Sequence, residues 1–297
     1  MDALQTKFEA YLLTEKRVAA NTFAAYKRDI DQFFRYFAEK KIELTDLQTQ
    51  DVKEYLRYLK HDLQLRSRSI MRKMSSLKVL FKYLHEHAHV PNLAEDLTFP
   101  KLEKRLPTFL TEEEVAHLLQ EAEKDTSDYG VRNKVLLYLL YVTGMRISEL
   151  VALEIPQFQF DTGFIHVQGK GGKARMVPVP EAILEMVKKY VSDMRVKMPN
   201  HQTDFLFPVL YAGAIKHITR QAVWAMLKQF CIRAGIKKTI SPHKLRHSLA
   251  THMLKSGVDL RSLQILLGHE NLATVQIYTH VETSYLRTLY DKKHPRS

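Results

Sequence analysis

With 297 residues the chain is too long for one ordinary core and calls for two domains, and a hydrophobic content of 45% is enough to fill both. Forty-five Lys and Arg against thirty-three Asp and Glu leave a net charge of +12, a positive field that attracts a polyanion; nucleic acid fits, though ribosomal and membrane-surface proteins share the balance. The single cysteine, Cys231, excludes an internal disulfide, the acid-bearing start MDALQTKFEAYLL is not a signal peptide, and the apolar run VLLYLLYVTGM is about half a membrane crossing, so an intracellular, cytoplasmic protein is expected.

Residues 1–97 read as helices throughout. In DALQTKFEAYLLTEKR the apolar Leu4, Phe8, Tyr11 and Leu12 share one face. In NTFAAYKRDIDQFFRYFAEK a cap at Asn21 leads Phe23, Tyr26, Ile30, Phe33, Phe34 and Phe37 inward. DVKEYLRYLK and SIMRKMSSLKVLFKYLHEH supply a third and a fourth helix, and the first glycine is Gly130, which suits a bundle with short connections. Arg66, Arg68, Arg72 and Lys73 gather around the start of the fourth helix. A charged helix face is ordinarily just solvated, but this density makes the four candidate phosphate contacts.

The stretch LTFPKLEKRLPTFL, with prolines and charges between helical patterns, reads as a linker over 98–110 that breaks between Pro100 and Pro107. The second domain, 111–297, opens on the capping box Thr111-Glu112-Glu113-Glu114, and GVRNKVLLYLLYVTG is a buried helix that Gly144 should end. Arg146 then stands at the start of RISELVAL, where the helix dipole disfavours a cation unless it holds an anion. A phosphate and an ordinary salt bridge to Glu149 both answer that mismatch. FIHVQ and ARMVPV flank GKGGK, with Gly171-Gly172 as the turn, and form the only sheet the pattern supports. The loop is no P-loop, because Gly172-Lys173 runs into Ala174 and a strand; Lys173 is either a solvated hairpin lysine or a DNA contact. EAILEMVKKYVSDM and TRQAVWAMLKQFCIRAG are amphipathic helices joined by a loop containing DFLFP. Trp224, Phe230 and Cys231 are expected in the core, and Thr219, Arg220 and Gln221 at a helix start are candidate phosphate or base-edge contacts.

The densest chemistry lies in SPHKLRHSLATHMLKSGVDLRSLQILLGHENLATVQIY. Ser241 caps a helix with Pro242 at its first position and Gly257 as its stop; Leu245, Leu249 and Met253 form a buried stripe, while His243 and Arg246 share another face. Gly268 should end a second short helix just before His269, and Tyr278 follows a further amphipathic turn. An arginine fork matches two phosphate oxygens, imidazoles donate to a third or accept a proton, and a phenol can be a nucleophile, so the set suits attack on a phosphodiester. The plain alternative makes Tyr278 a half-buried packing residue and His247 and His252 surface or core-edge histidines. His243 and His247 have the spacing of a zinc helix, but Lys244 stands where the metalloprotease glutamate belongs and no cysteine pair is near, so no metal site is expected.

HKLRHSLATHML, LLGHENLATVQIYTHV and the upstream TGMRISELVAL resemble the signature boxes of the tyrosine recombinases, particularly the bacterial Xer recombinases, and the similarity runs from the first helix to the closing KKHPRS. ITRQAVW and that tail resemble the XerD branch more than XerC. The resemblance implies a mainly α fold with a small antiparallel β-sheet in the second domain, the two domains forming a C-shaped DNA clamp. It assigns Arg146, Lys170, His243, Arg246, His269 and Tyr278 as the catalytic set, with Tyr278 the nucleophile and Lys170 a general acid carried by the hairpin. No metal, ATP or other cofactor is implied. The implied partners are double-stranded DNA with inverted half-sites, a homo- or hetero-tetramer at synapsis that can include a second Xer recombinase, and an FtsK-type DNA translocase. The apolar face of SYLRTLYD can pack on its own domain or on a neighbouring copy, and the family packs it in trans. Phage and mobile-element integrases and type IB topoisomerases share the chemistry, whereas a DNA-binding regulator would not need all six polar residues.

Overall fold

The computed structural model describes residues 2–99, 109–169, 174–198 and 201–267. The chain divides into two units, Met1–Arg105 and Leu106–Ser297.

The first unit is built from α1 (Asp2–Thr14), α2 (Ala20–Glu39), α3 (Thr49–His61) and α4 (Ser67–Ala88). Phe8, Tyr11, Leu12, Ile30, Phe33, Phe34 and Phe37 are buried, with Leu4, Phe23 and Tyr26 packed partly exposed against them. Phe33 is the junction of three helices: its ring meets Tyr55 of α3 at 5.2 Å and Phe81 of α4 at 5.8 Å, both edge-on. That geometry sets the positive ring edge against the negative face. The cap of α2 is Ala19 instead of Asn21, which lies inside the first turn; the Ala19 carbonyl accepts the Thr22 and Phe23 N–H groups at 2.8 and 2.9 Å. Val18 and Phe23 occupy the two positions of a hydrophobic staple and both pack on the core, so burial overrides the side-chain cap in setting where the chain turns.

The basic cluster at the start of α4 splits in two. Arg66 and Arg68 are exposed. Lys73, expected among the phosphate contacts, is only 7% exposed; its Nζ donates to Asp29 Oδ1 at 2.8 Å and to Gln32 Oε1 at 2.5 Å. Arg72 bonds the other oxygen of Asp29 and reaches the Ala25 carbonyl at 3.3 Å. Asp29 is buried on α2, and a buried carboxylate requires paired cations, so these two side chains tie α4 to α2.

The second unit contains α5 (Glu112–Glu123), α6 (Asp128–Thr143), α7 (Ile147–Val151), α8 (Glu181–Lys189), α9 (Arg220–Arg233), α10 (Pro242–Lys255) and α11 (Leu260–Leu267). Thr111 caps α5 with the expected reciprocal box, its Oγ1 accepting from Glu114 N at 3.2 Å while Glu114 Oε2 accepts from Thr111 N at 2.8 Å. α6 is buried on nearly every side, through Val135, Leu136, Leu137, Leu139, Leu140, Tyr141 and Val142, and forms the spine of this core. Strands β1 (Phe158–Gln159), β2 (Phe164–Gln168) and β3 (Ala174–Pro178) make an antiparallel sheet in that order. The register pairs Phe158 with Ile165, Ile165 with Val177 and Val167 with Arg175, so the buried face of this sheet carries Phe158, three aliphatic residues and one arginine.

Two expectations are corrected here. A second hairpin, β4 (Pro208–Tyr211) with β5 (Ala214–His217), occupies what reads as loop. Its turn, Ala212-Gly213, has both φ values positive, 50° and 77°, the requirement of the two-residue turns that match strand twist. Leu210, Tyr211 and Ile215 are all exposed, so neither face is apolar in the alternating way that announces a strand. Trp224 is 47% exposed, because the buried stripe of α9 runs through Val223, Leu227, Phe230 and Cys231 and leaves Trp224 one position outside it. Among the described residues no helix is long and apolar enough to cross a membrane.

Candidate active site

The site is assembled where α6 ends. Gly144 takes a left-handed conformation, φ 56°, and a Cβ there would lie 2.8 Å from both Leu249 of α10 and Leu267 of α11. Only glycine satisfies both the turn and the close packing. The turn delivers Arg146 to the N-cap of α7, where the dipole alone would repel it. Glu149, one turn on, answers that repulsion: its Oε2 accepts the Arg146 backbone N–H at 2.9 Å and its Oε1 accepts Arg146 Nη1 at 3.0 Å. The salt bridge left open by the sequence is therefore formed.

Glu149 is also gripped from the sheet. Arg175 of β3 donates from Nη1 to Oε1 at 2.9 Å and from Nη2 to Oε2 at 2.7 Å, a two-pronged fork. Burial pushes the Glu149 carboxyl up, but the bonds from Arg175 and then Arg146 outweigh it and hold the group below the usual carboxylate range.

Arg246 comes from α10, whose Ser241 cap and buried Leu245, Leu249 and Met253 set the face it occupies. The side chain is 6% exposed, and its guanidinium donates to the Gly144 carbonyl at 2.6 Å and to the Leu267 carbonyl at 2.5 Å. These carbonyls belong to the C-terminal ends of α6 and α11, the negative ends of both helix dipoles. Burial lowers its pKa to about 10, assisted by Arg146 and Arg175 and opposed by Glu149, so it remains a cation at neutral pH. The first bond joins Arg246 to the turn that carries Arg146. Two guanidinium groups thus bind a single carboxylate, and Arg246 lies near enough for its pKa to respond to all three of these charges.

His243 lies exposed in the first turn of α10, on the helix that carries Arg246. His247 is exposed as well, whereas His252 is fully buried. His252 Nε2–H donates to the Leu110 carbonyl at 2.8 Å, and Nδ1 lies 3.0 Å from the Tyr141 hydroxyl, while burial lowers its pKa and so favours the neutral ring. Ser248 Oγ accepts the Leu110 N–H at 2.8 Å, so α10 pins the entry of the chain into this unit. Lys170, Lys173, His269 and Tyr278 lie outside the described residues. Thr219 uses its hydroxyl as the cap of α9, accepting Ala222 N–H at 3.1 Å, while Arg220 and Gln221 are exposed in the following turn. Sequence reasoning missed Arg175; the available signal was an arginine in phase with Val177 on the apolar face of a strand. Among the described residues no group of three or more His, Cys, Asp or Glu side chains is placed to hold a metal ion.

Fold and site define a mainly helical protein whose second unit concentrates buried positive charge where an anion can neutralise it. The chain matches the phage integrase family over residues 108–284 and the phage integrase N-terminal SAM-like domain over residues 6–87. The tyrosine recombinase XerD of Staphylococcus haemolyticus is 36% identical over 300 residues, covering 100% of both chains. That of Shewanella oneidensis is 38% identical over 297 residues, 99% of this chain and 97% of its own length. Among solved structures, the XerA recombinase is 30% identical with a TM-score of 0.50, covering 100% of this chain and 99% of its own. The XerH site-specific recombinase bound to its difH substrate before cleavage is 22% identical with a TM-score of 0.70, covering 96% of this chain and 81% of its own. The chain belongs to the phage integrase family: it is a site-specific tyrosine recombinase, a DNA strand-transferase.

Proposed function

We propose that this recombinase cuts and rejoins DNA through a 3′-phosphotyrosyl intermediate and a Holliday junction, resolving chromosome dimers at a dif-like site. The observation that carries the chemistry is the grouping of three arginines, Arg146 and Arg175 on Glu149 and Arg246 on the Gly144 and Leu267 carbonyls, which concentrates positive charge suited to a scissile phosphate. Tyr278 attacks phosphorus, forming its O–P bond as the bond to the 5′-oxygen breaks. Lys170 gives a proton to that departing oxygen; Arg146, Arg246 and His269 hold the oxygens of the five-coordinate transition state, and His243 assists deprotonation of Tyr278 or donates to the phosphate. Attack by a 5′-hydroxyl from another strand reverses the step. No water is consumed, so the bond energy is conserved and neither ATP nor a metal takes part.

The biological setting rests on the XerD names of full-length relatives. In this reading residues 1–97 form a core-binding domain, 98–110 a linker and 111–297 the catalytic domain, which together clamp DNA. Arg66, Arg68, Lys173, Arg220 and Gln221 serve as DNA contacts, and Arg72 contributes its exposed edge. Two protomers occupy inverted half-sites and a tetramer, homomeric or completed by a second Xer recombinase, forms the synapse in the cytoplasm. The C-terminal segment packs on a neighbouring protomer, and an FtsK-type translocase licenses exchange.

The test is a nicked duplex that traps the covalent adduct. Tyr278→Phe should bind it normally and form none; an adduct in that variant refutes the assignment. Lys170→Ala should slow cleavage on the order of 10²–10⁴-fold, recovered by a 5′-sulfur leaving group that needs no proton.

A further inference from the structure

We propose that Arg175 is a positioning residue for strand transfer: its fork on Glu149 fixes the carboxylate that in turn orients Arg146 toward the scissile phosphate. The inference rests on the reading of Arg146 as a phosphate-holding side chain.

The bonding is reciprocal. Each oxygen of Glu149 receives one bond from each arginine: Oε1 takes Arg146 Nη1 and Arg175 Nη1, and Oε2 takes the Arg146 backbone N–H and Arg175 Nη2. With Arg146 alone, the carboxylate could rotate about its own side chain and carry the guanidinium with it. The second fork comes from a different element, β3, and removes that rotation, because the strand is itself fixed by its pairing with β2. Arg246 is held through carbonyls at Gly144 and Leu267 and not through Glu149, so the fork of Arg175 bears on Arg146 alone of the two phosphate-directed arginines.

A purely structural ion pair explains the arrangement poorly. Arg175 is 9% exposed on a sheet face otherwise made of Phe158, Ile165, Val167 and Val177. Its Nε is buried with no hydrogen-bond partner, a cost a folding element would shed by adopting an apolar residue. Replacing a whole buried ion pair by well-packed hydrophobes is often neutral or stabilising, whereas removing one partner alone is costly, so a purely structural role favours apolar residues at both positions. What an aliphatic side chain cannot do is hold Glu149 by both oxygens.

The decisive experiment uses the full chain and the nicked duplex on which the wild type forms its adduct, in single-turnover mode. An unreactive wild type overturns the reading on which the inference rests. With a reactive wild type, Arg175→Met, which fills the apolar face and leaves Glu149 paired with Arg146, should bind DNA as the wild type does and, measured on the folded protein, cleave on the order of 10²-fold more slowly, the scale of a small misplacement of a positioning group. Arg175→Lys should stay slow, because a point charge cannot reproduce the fork. A scissile methylphosphonate carries one charge fewer and leans less on Arg146, so it should erase most of the deficit of Arg175→Met and of Arg146→Ala alike. The double variant should be no slower than Arg146→Ala, since both act through one interaction. Wild-type cleavage by Arg175→Met or by Arg175→Lys, equal slowing on both substrates, or full addition of the two deficits would each overturn the proposal.

Discussion

Both units of this protein bury one carboxylate under two cations, and the two clusters serve different ends. In the first, Asp29 holds Lys73 and Arg72, and the excess charge is shed to water because the Arg72 side chain is 44% exposed. In the second, Glu149 holds Arg146 and Arg175 with Arg246 close behind, and two of those three arginines are buried. In the first cluster the second cation faces water; in the second, Arg146 is half-exposed while Arg175 and Arg246 are enclosed, their charge met by Glu149 and by two helix-end carbonyls. The contrast shows that counting ion pairs separates a brace from a site less well than asking where the leftover charge can go.

That contrast can be broken at several points. The largest expected effect is Asp29→Ala, which strands buried Lys73 and should cost about 3–5 kcal/mol in chemical denaturation of the first unit. The paired swap Asp29→Leu with Lys73→Met should recover most of that loss while leaving the rate of covalent adduct formation by the folded protein unchanged. A slow adduct in the stable double variant would show the Asp29 cluster to be more than a brace. Next comes Arg246→Ala: removing one charge-stabilising donor should slow adduct formation on the order of 10²–10³-fold. A loss of that size absent from single-turnover rates would take Arg246 out of the transition state.

A smaller effect concerns acid. Glu149 is held below its ordinary 4.5, so its contribution to stability is present above that value and is lost as pH falls through the lower folded-state pKa. In Arg175→Met the bonds opposing burial are weakened, the folded-state value rises, and that contribution should be lost at a higher pH, as read from melting temperature across an acid series. Identical acid profiles for variant and wild type would mean that Arg175 does not hold the charge on Glu149. His252 adds a second slope: burial lowers its pKa, so stability is full above 6.5 and falls as pH drops below that value toward the folded-state pKa. His252→Gln should flatten this part of the profile. The smallest effect is at Trp224, exposed beside the stripe of α9, where Trp224→Ser should change stability by no more than about 0.5 kcal/mol.

Local chemistry carried much of the fold. Ser241-Pro242 and Thr111 through Glu114 satisfy free N–H groups within their own helices, and the inward spacing of Phe33, Phe34 and Phe37 needs only helical periodicity, so these features are legible from neighbours in the chain. Arg146, His243 and Arg246 are singled out as site residues by resemblance to a family's signature boxes, beyond what capping and periodicity supply. What the chain alone did not determine is which charges are enclosed and whom they share. Lys73 and Arg68 look alike in sequence, yet Asp29 from another helix buries one and leaves the other in water. Arg175 is an ordinary strand arginine until the sheet carries it to Glu149, and Arg246 is a helical arginine until α6 and α11 bring two carbonyls to it. Burial and partnership depend on elements distant in sequence, whereas capping and periodicity act within a few residues; tertiary packing alone therefore decided which arginines became a charged enclosure and which stayed on the surface.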